Sequence, residues 1–234
     1  MNQANWHEFA APPLLAAELA SAVATRLGMA IDDHGNALLA VSGGSTPAKF
    51  FRTLAREPLD WAPVTVTLVD ERFVPPSSER SNERLVTVNL LQSDAAAAGF
   101  LGLYHAGAID QAAAVATADL AALGRPFDVV VLGMGTDGHT ASFFDDAPNL
   151  GRLLDPEGEP AVLAVKSADA GEPRLTMSLS ALASAGRIFL HIEGLPKKEL
   201  LLDVLAGDVR PPVAAMIEHA SSPIDIYWAP GETP

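Results

Sequence analysis

The chain has 234 residues, 49% hydrophobic and 19% charged, so it can bury a substantial core and is not a disordered polymer. It contains no cysteine, which excludes disulfides, thiolate zinc sites and a cysteine nucleophile. The net charge of −14, from 15 basic and 29 acidic residues, argues against nucleic acid and anionic membranes as partners and makes the placing of the few cations informative.

The first residues, MNQANWHEFAAPP, lack a basic region leading into an apolar run, so no secretory signal is expected. Residues 14–27, rich in alanine and leucine, predict a helix, and 37–41 (ALLAV) a short buried strand. A helix over 47–56 begins with proline at a favoured first-turn position. Residues 64–70 (VTVTLVD) predict a strand, and 82–91 and 112–123 predict helices. The alanines at 95–98 and 112–114 reflect helix preference. Further strands are expected at 128–132 (DVVVL), 161–165 (AVLAV), 187–192 (RIFLHI) and 224–228 (IDIYW), with a surface loop over 155–160 and a helix over 196–205. Strands alternating with helices predict an α/β fold, a mostly parallel sheet with helices on both faces, as a single domain over 1–234. The apolar runs are short and punctuated, none approaching a membrane span, so a soluble cytoplasmic protein is expected. The expected assembly is a monomer or weak homodimer.

In such sheets ligands gather where strands end and helices begin, and each strong motif lies at such a junction. In Val41-Ser-Gly-Gly-Ser-Thr-Pro47, Gly43 and Gly44 let backbone N–H groups approach a ligand, and Ser42, Ser45 and Thr46 offer hydroxyl donors to an anion. It is not a Walker loop, because the Gly-Lys-Ser/Thr ending is missing. An ordinary turn with a serine or threonine N-cap is the alternative. Asp70, Glu71 and Arg72 cluster at a strand end before Pro75. A carboxylate there suits a base or a sugar hydroxyl and Arg72 suits a phosphate, although a solvated charge cluster reads the same way.

The stretch DVVVLGMGTDGH (128–139) carries Gly133, Gly135 and Gly138 in the spacing of a dinucleotide fingerprint. Asp137 would set a negative charge against a pyrophosphate, and Asp155, at about the expected distance, follows no clean second strand, so no nucleotide cofactor is expected. What remains is His139, of the type best placed to take a proton near neutral pH, with Asp137 two residues before it. Ser142 could form a nucleophile pair with it, but no G-x-S-x-G elbow is present. Asp137, His139, Asp145 and Asp146 could be taken for a metal site, but nothing in their spacing specifies a geometry, and none is assigned. Arg174, and Lys197 or Lys198 in a helix's first turn where a cation is unfavourable to the dipole, complete the candidate anion ligands.

Together SGGSTP (42–47), VDERFVP (69–75), SNERLV (81–86), GMGTDGHTASFF (133–144), PRLTMS (173–178) and GLPKKELL (194–201) resemble the 6-phosphogluconolactonases, in the same order over most of the chain. The glucosamine-6-phosphate deaminases of the same superfamily share the glycine turn, the Asp-Glu pair and DGH. They continue differently after the histidine, whereas His139-Thr-Ala-Ser-Phe-Phe144 looks like the lactonase branch. The resemblance implies a Rossmann-like fold without a nucleotide, a phosphosugar lactone as partner, and hydrolysis of 6-phosphogluconolactone in the oxidative pentose phosphate pathway without metal. It implies His139 as base with Asp137 beside it. The turn from Ser42 to Thr46, with Asp70, Arg72, Arg174 and Lys197, would then surround the substrate. A deaminase-like isomerase using Asp70, or a non-catalytic phosphosugar-binding regulator, are the alternatives on the same fold.

Overall fold

A computed structural model describes residues 4–231. In chain order its elements begin with β1 (Asn5–Glu8), α1 (Pro12–His34), β2 (Ala37–Val41), α2 (Ala48–Leu54), β3 (Val64–Leu68), β4 (Asp70–Arg72), α3 (Asn82–Asn89) and β5 (Gly99–Leu101). There follow α4 (Ile109–Ala122), β6 (Val129–Leu132), α5 (Leu150–Leu153), β7 (Val162–Val165), β8 (Arg174–Met177) and α6 (Leu179–Ala183). The chain ends with β9 (Arg187–Glu193), α7 (Leu195–Ala206), α8 (Pro212–His219) and β10 (Asp225–Ala229).

Seven strands form one sheet in the order β1-β10-β9-β6-β2-β3-β5, and every pairing in it is parallel. The central strands are buried along their whole length, as the continuous apolar runs ALLAV and VVVL require of a sheet covered on both faces. A second sheet, β4-β8-β7, is antiparallel. The expected strand over 64–70 is therefore two: β3 ends at Leu68, and from Asp70 the chain belongs to the smaller sheet. Val69 is the hinge, donating to the Val41 carbonyl in one sheet while its own carbonyl accepts from Met177 in the other.

Helix α1 is longer than the expected 14–27, starting on two prolines and ending where Gly35, in a left-handed conformation, donates to the Ile31 carbonyl at 2.8 Å. By length and composition α1 could cross a membrane, which corrects the expectation that no apolar run approaches a span. Its stripe Leu15, Leu19, Val23 and Leu27 is wholly buried in the core, each leucine stabilising the fold by about 1.5–3 kcal/mol, as in a core helix.

From β2 the chain runs outward to β3 and β5, then returns to the other side of β2 at β6 and continues to β9 and β10. The carboxyl ends of β2 and β6 thus flank the point where the winding reverses, where a crevice opens in sheets of this kind.

Candidate active site

The turns leaving these two strands are tied together. Ser42 donates its N–H to the Val131 carbonyl at 2.9 Å, and its hydroxyl oxygen accepts from the Gly133 N–H at 3.1 Å. The Ser42 proton remains free to point at a ligand. Ser45 and Thr46 are not N-caps: α2 begins after Pro47 with no side-chain cap. Gly44 has φ 97°, a conformation natural to glycine.

Beyond β6 the chain reverses through Gly135, whose N–H donates to the His139 carbonyl at 2.9 Å. A Cβ on Gly135 would lie 2.3 Å from Asp137 Oδ1 and 2.4 Å from His139 Nδ1, so only glycine lets this pair fold over the backbone. Gly138 combines φ 83° with a tight approach to Pro211. Asp137 Oδ1 lies 2.7 Å from His139 Nδ1 and also accepts the His139 N–H at 3.2 Å. Burial pushes the Asp137 carboxyl up, but the hydrogen bonds and charge of His139 outweigh it and hold the group below its ordinary value. The ring of His139 leans on Phe144 at 4.6 Å between centroids.

The acidic cluster at β4 is the reverse of solvated. Glu71 is fully buried and accepts four hydrogen bonds: from the N–H groups of Arg72, Asn82 and Glu83 and the hydroxyl of Ser81, all at 2.7–2.9 Å. Burial nevertheless leaves its pKa raised. Asp70 accepts from Ser142 Oγ at 2.6 Å, so that hydroxyl, itself buried, is directed away from His139 and forms no nucleophile pair with it.

Arg72 and Arg174 stand opposite each other in the β4–β8 ladder. Like charges in register are unfavourable. Glu172 offsets part of this, with Oε1 3.7 Å from Arg72 Nε and Oε2 2.8 Å from Arg80 Nη1. Arg174 Nε is buried without a hydrogen-bond partner, and burial pulls the pKa of Arg174 down against the attraction of Asp70. Burial likewise lowers Lys197, and no carboxylate among the described residues comes within ion-pair distance of it. Lys198 is committed elsewhere, donating to Glu8 at 2.7 Å and lying 4.1 Å over the Trp228 ring.

These groups line one cleft of about 330 Å³ at the switch point. Ser42, Gly43, Gly44, Ser45, Thr46, Asp70, Arg72, His139, Arg174 and Lys197 all border it, while Asp137 reaches it only through His139. Asn82, Phe144, Asp169 and His191 border it too and were not singled out from the sequence. Ser81-Asn82 carried a helix-start signal, since Ser81 caps α3 by accepting from Arg84 N–H. His191, inside an apolar strand, gave none. The acids of the considered metal cluster are dispersed: Asp146 is engaged with Ser167, Ala168 and Asp169, and no convergent metal-ligand group occurs among the described residues.

A parallel α/β sheet with three cations, a glycine turn and a carboxylate–histidine pair around one cleft at its switch point is the arrangement of an enzyme. The family model described as glucosamine-6-phosphate isomerases/6-phosphogluconolactonase matches residues 10–228. Over 230 residues the chain is 54% identical to a 6-phosphogluconolactonase of Rhizobium meliloti, covering 97% of the chain and 99% of that relative. It is 43% identical to one of Pseudomonas aeruginosa, covering 91% and 89%. The crystal structure of a 6-phosphogluconolactonase from Shewanella baltica superposes with a TM-score of 0.91 at 38% identity, over 97% of this chain and 98% of that one. The chain belongs to the glucosamine-6-phosphate isomerase/6-phosphogluconolactonase family, and within it is an enzyme of the lactone-hydrolysing type.

Proposed function

We propose that this enzyme hydrolyses 6-phosphogluconolactone to 6-phosphogluconate, with water activated by His139 and no metal required. The observation that carries this reading is the Asp137–His139 pair, 2.7 Å apart, facing the cleft that holds Arg72, Arg174 and Lys197. An ionised carboxylate only accepts, so Asp137 fixes the proton on Nδ1 and leaves the Nε2 lone pair for water. His139 takes a proton as that water adds to the C1 carbonyl. The tetrahedral adduct then collapses by breaking the bond from C1 to the ring oxygen, which receives the proton from the imidazolium. Backbone N–H groups of the turns, or an arginine, stabilise the oxyanion. The phosphate, held by the glycine turn and the cations, supplies positioning remote from the reacting bond.

The direct test is an assay on freshly generated 6-phosphogluconolactone, with and without a chelator. Rapid hydrolysis unchanged by chelator is expected; loss of activity that returns with a divalent cation would overturn the metal-independent mechanism. Ammonia released from glucosamine 6-phosphate, with no lactone hydrolysis, would transfer the site to the sibling isomerase chemistry and make Asp70 its base. An Asp137→Asn variant is expected to lose roughly tenfold or more in kcat with little change in KM, because the carboxamide no longer specifies the tautomer. Full turnover in that variant would remove Asp137 from the mechanism.

A further inference from the structure

One buried carboxamide joins the glycine turn to Arg72 and has no part in the proton transfer. Asn82 opens α3 and is 2% exposed. Its N–H donates to Glu71 Oε1 at 2.8 Å, its Nδ2 to the Asp70 carbonyl at 2.9 Å, and its Oδ1 accepts from Arg72 Nη1 at 2.8 Å. The same side chain fills the space in front of Gly43. A Cβ there would lie 2.0 Å from Asn82 Oδ1 and 2.1 Å from its Cγ, and no other residue supplies any of its three nearest atoms. The φ of Gly43 is outside the left-handed region, so the neighbour and not the backbone torsion demands glycine.

We propose that Asn82 is a positioning residue that sets the Arg72 guanidinium against the Gly43-Gly44 turn and so governs affinity for the phosphate end of the substrate. This rests on the reading of the cleft as a phosphosugar site. Arg72 faces Arg174 across the ladder, and repulsion favours swinging one of them into solvent. Two acceptors oppose that swing by gripping Nη1: Asn82 Oδ1 at 2.8 Å and the Arg80 carbonyl at 2.7 Å. The Arg80 carbonyl lies two residues before Asn82, and α3 is itself pinned by Glu71. The arginine is therefore ordered before the anion arrives, and binding loses less side-chain entropy.

The test is a cycle of Asn82→Ala, Gly43→Ala and the double variant. Its readouts are kcat and KM on the lactone, the Kd for inorganic phosphate by calorimetry, and a thermal melt. Each single substitution is expected to raise KM and the phosphate Kd by about tenfold, with kcat changing less. In the Asn82→Ala background, Gly43→Ala should add almost nothing, because the new methyl enters space the carboxamide has left. Multiplying penalties in the double variant, or an unchanged KM in Asn82→Ala, would overturn the proposal. If Asn82→Ala does not fold, Gly43→Ala alone decides, since it displaces the carboxamide from the other side, and an unaltered KM there overturns it. A wild-type enzyme that neither hydrolyses the lactone nor binds phosphate would refute the phosphosugar reading, and Asn82's proposed role with it. Lactone turnover with normal wild-type phosphate binding isolates a failure to Asn82.

Discussion

His139→Ala is expected to lower kcat roughly 10²–10⁴-fold, the usual contribution of a positioned general base, while KM stays close to that of the wild type. The split follows from geometry. The ring is at the cleft surface, with 31% of its side chain exposed, held by Asp137 on one side and Phe144 on the other. The cations that would grip the phosphate are on separate elements, β4, β8 and α7. Removing the ring leaves no buried polar group unpaired, since Asp137 keeps the His139 N–H and access to solvent. The melting temperature should therefore move little. A folded His139→Ala enzyme that keeps wild-type turnover would falsify the assignment. His139→Gln, which fills similar space without a basic nitrogen, should be equally impaired if proton transfer is what is lost.

Glu71→Ala is expected to act on stability instead. It leaves four donors without their acceptor, three of them backbone N–H groups, and the cost is about 3 kcal/mol or more. For a chain of this size that is a fall of roughly 6–12 °C in melting temperature, measurable by calorimetry. Phosphate affinity should fall with it, because Asn82 loses its anchor. The pH dependence has a definite sign. Burial raises the folded-state pKa of Glu71 above 4.5, so between that value and the raised one the native protein holds a proton that the unfolded chain has released. Glu71 therefore favours the fold most below pH 4.5, and that contribution declines as pH rises through the raised pKa. Glu71→Gln removes this titration. The melting temperature of the wild type relative to Glu71→Gln should decline from pH 4 to pH 7, and a difference that is flat or grows would contradict the assignment.

Much of the main sheet was legible because its strands announce themselves locally. ALLAV and VVVL are apolar throughout and RIFLHI is largely so, as strands covered on both faces must be, and a glycine comes within two residues of the end of each. The edge strands were not legible. In β1 the sequence NWHE is polar and half exposed, and β5 has only three residues; at an edge, pairing is decided by the neighbour and not by periodicity. Of the short antiparallel sheet only β7 was legible, as the strand expected over 161–165: β4 is three residues of charge, and its strand character comes from β8, which begins about a hundred residues later. Helix α8 (Pro212–His219) was not among the expected elements.

The site divides along the same line. The turn that carries Asp137 and His139 two residues apart depends largely on contacts within a few positions, so the chain's local order already determined it. Gly135 is required by the very pair it precedes. Burial of Glu71, the facing of Arg72 and Arg174, the orientation of Lys197 rather than Lys198 to the cleft, and the wedge of Asn82 against Gly43 join separate elements of the chain or set one neighbouring side chain against another. Only tertiary packing decides those, because charge burial and side-chain direction depend on what lies across the gap. Sequence by itself determined the elements and the chemistry at their ends; the fold decided which charges are buried, which are paired, and which are left facing the cleft.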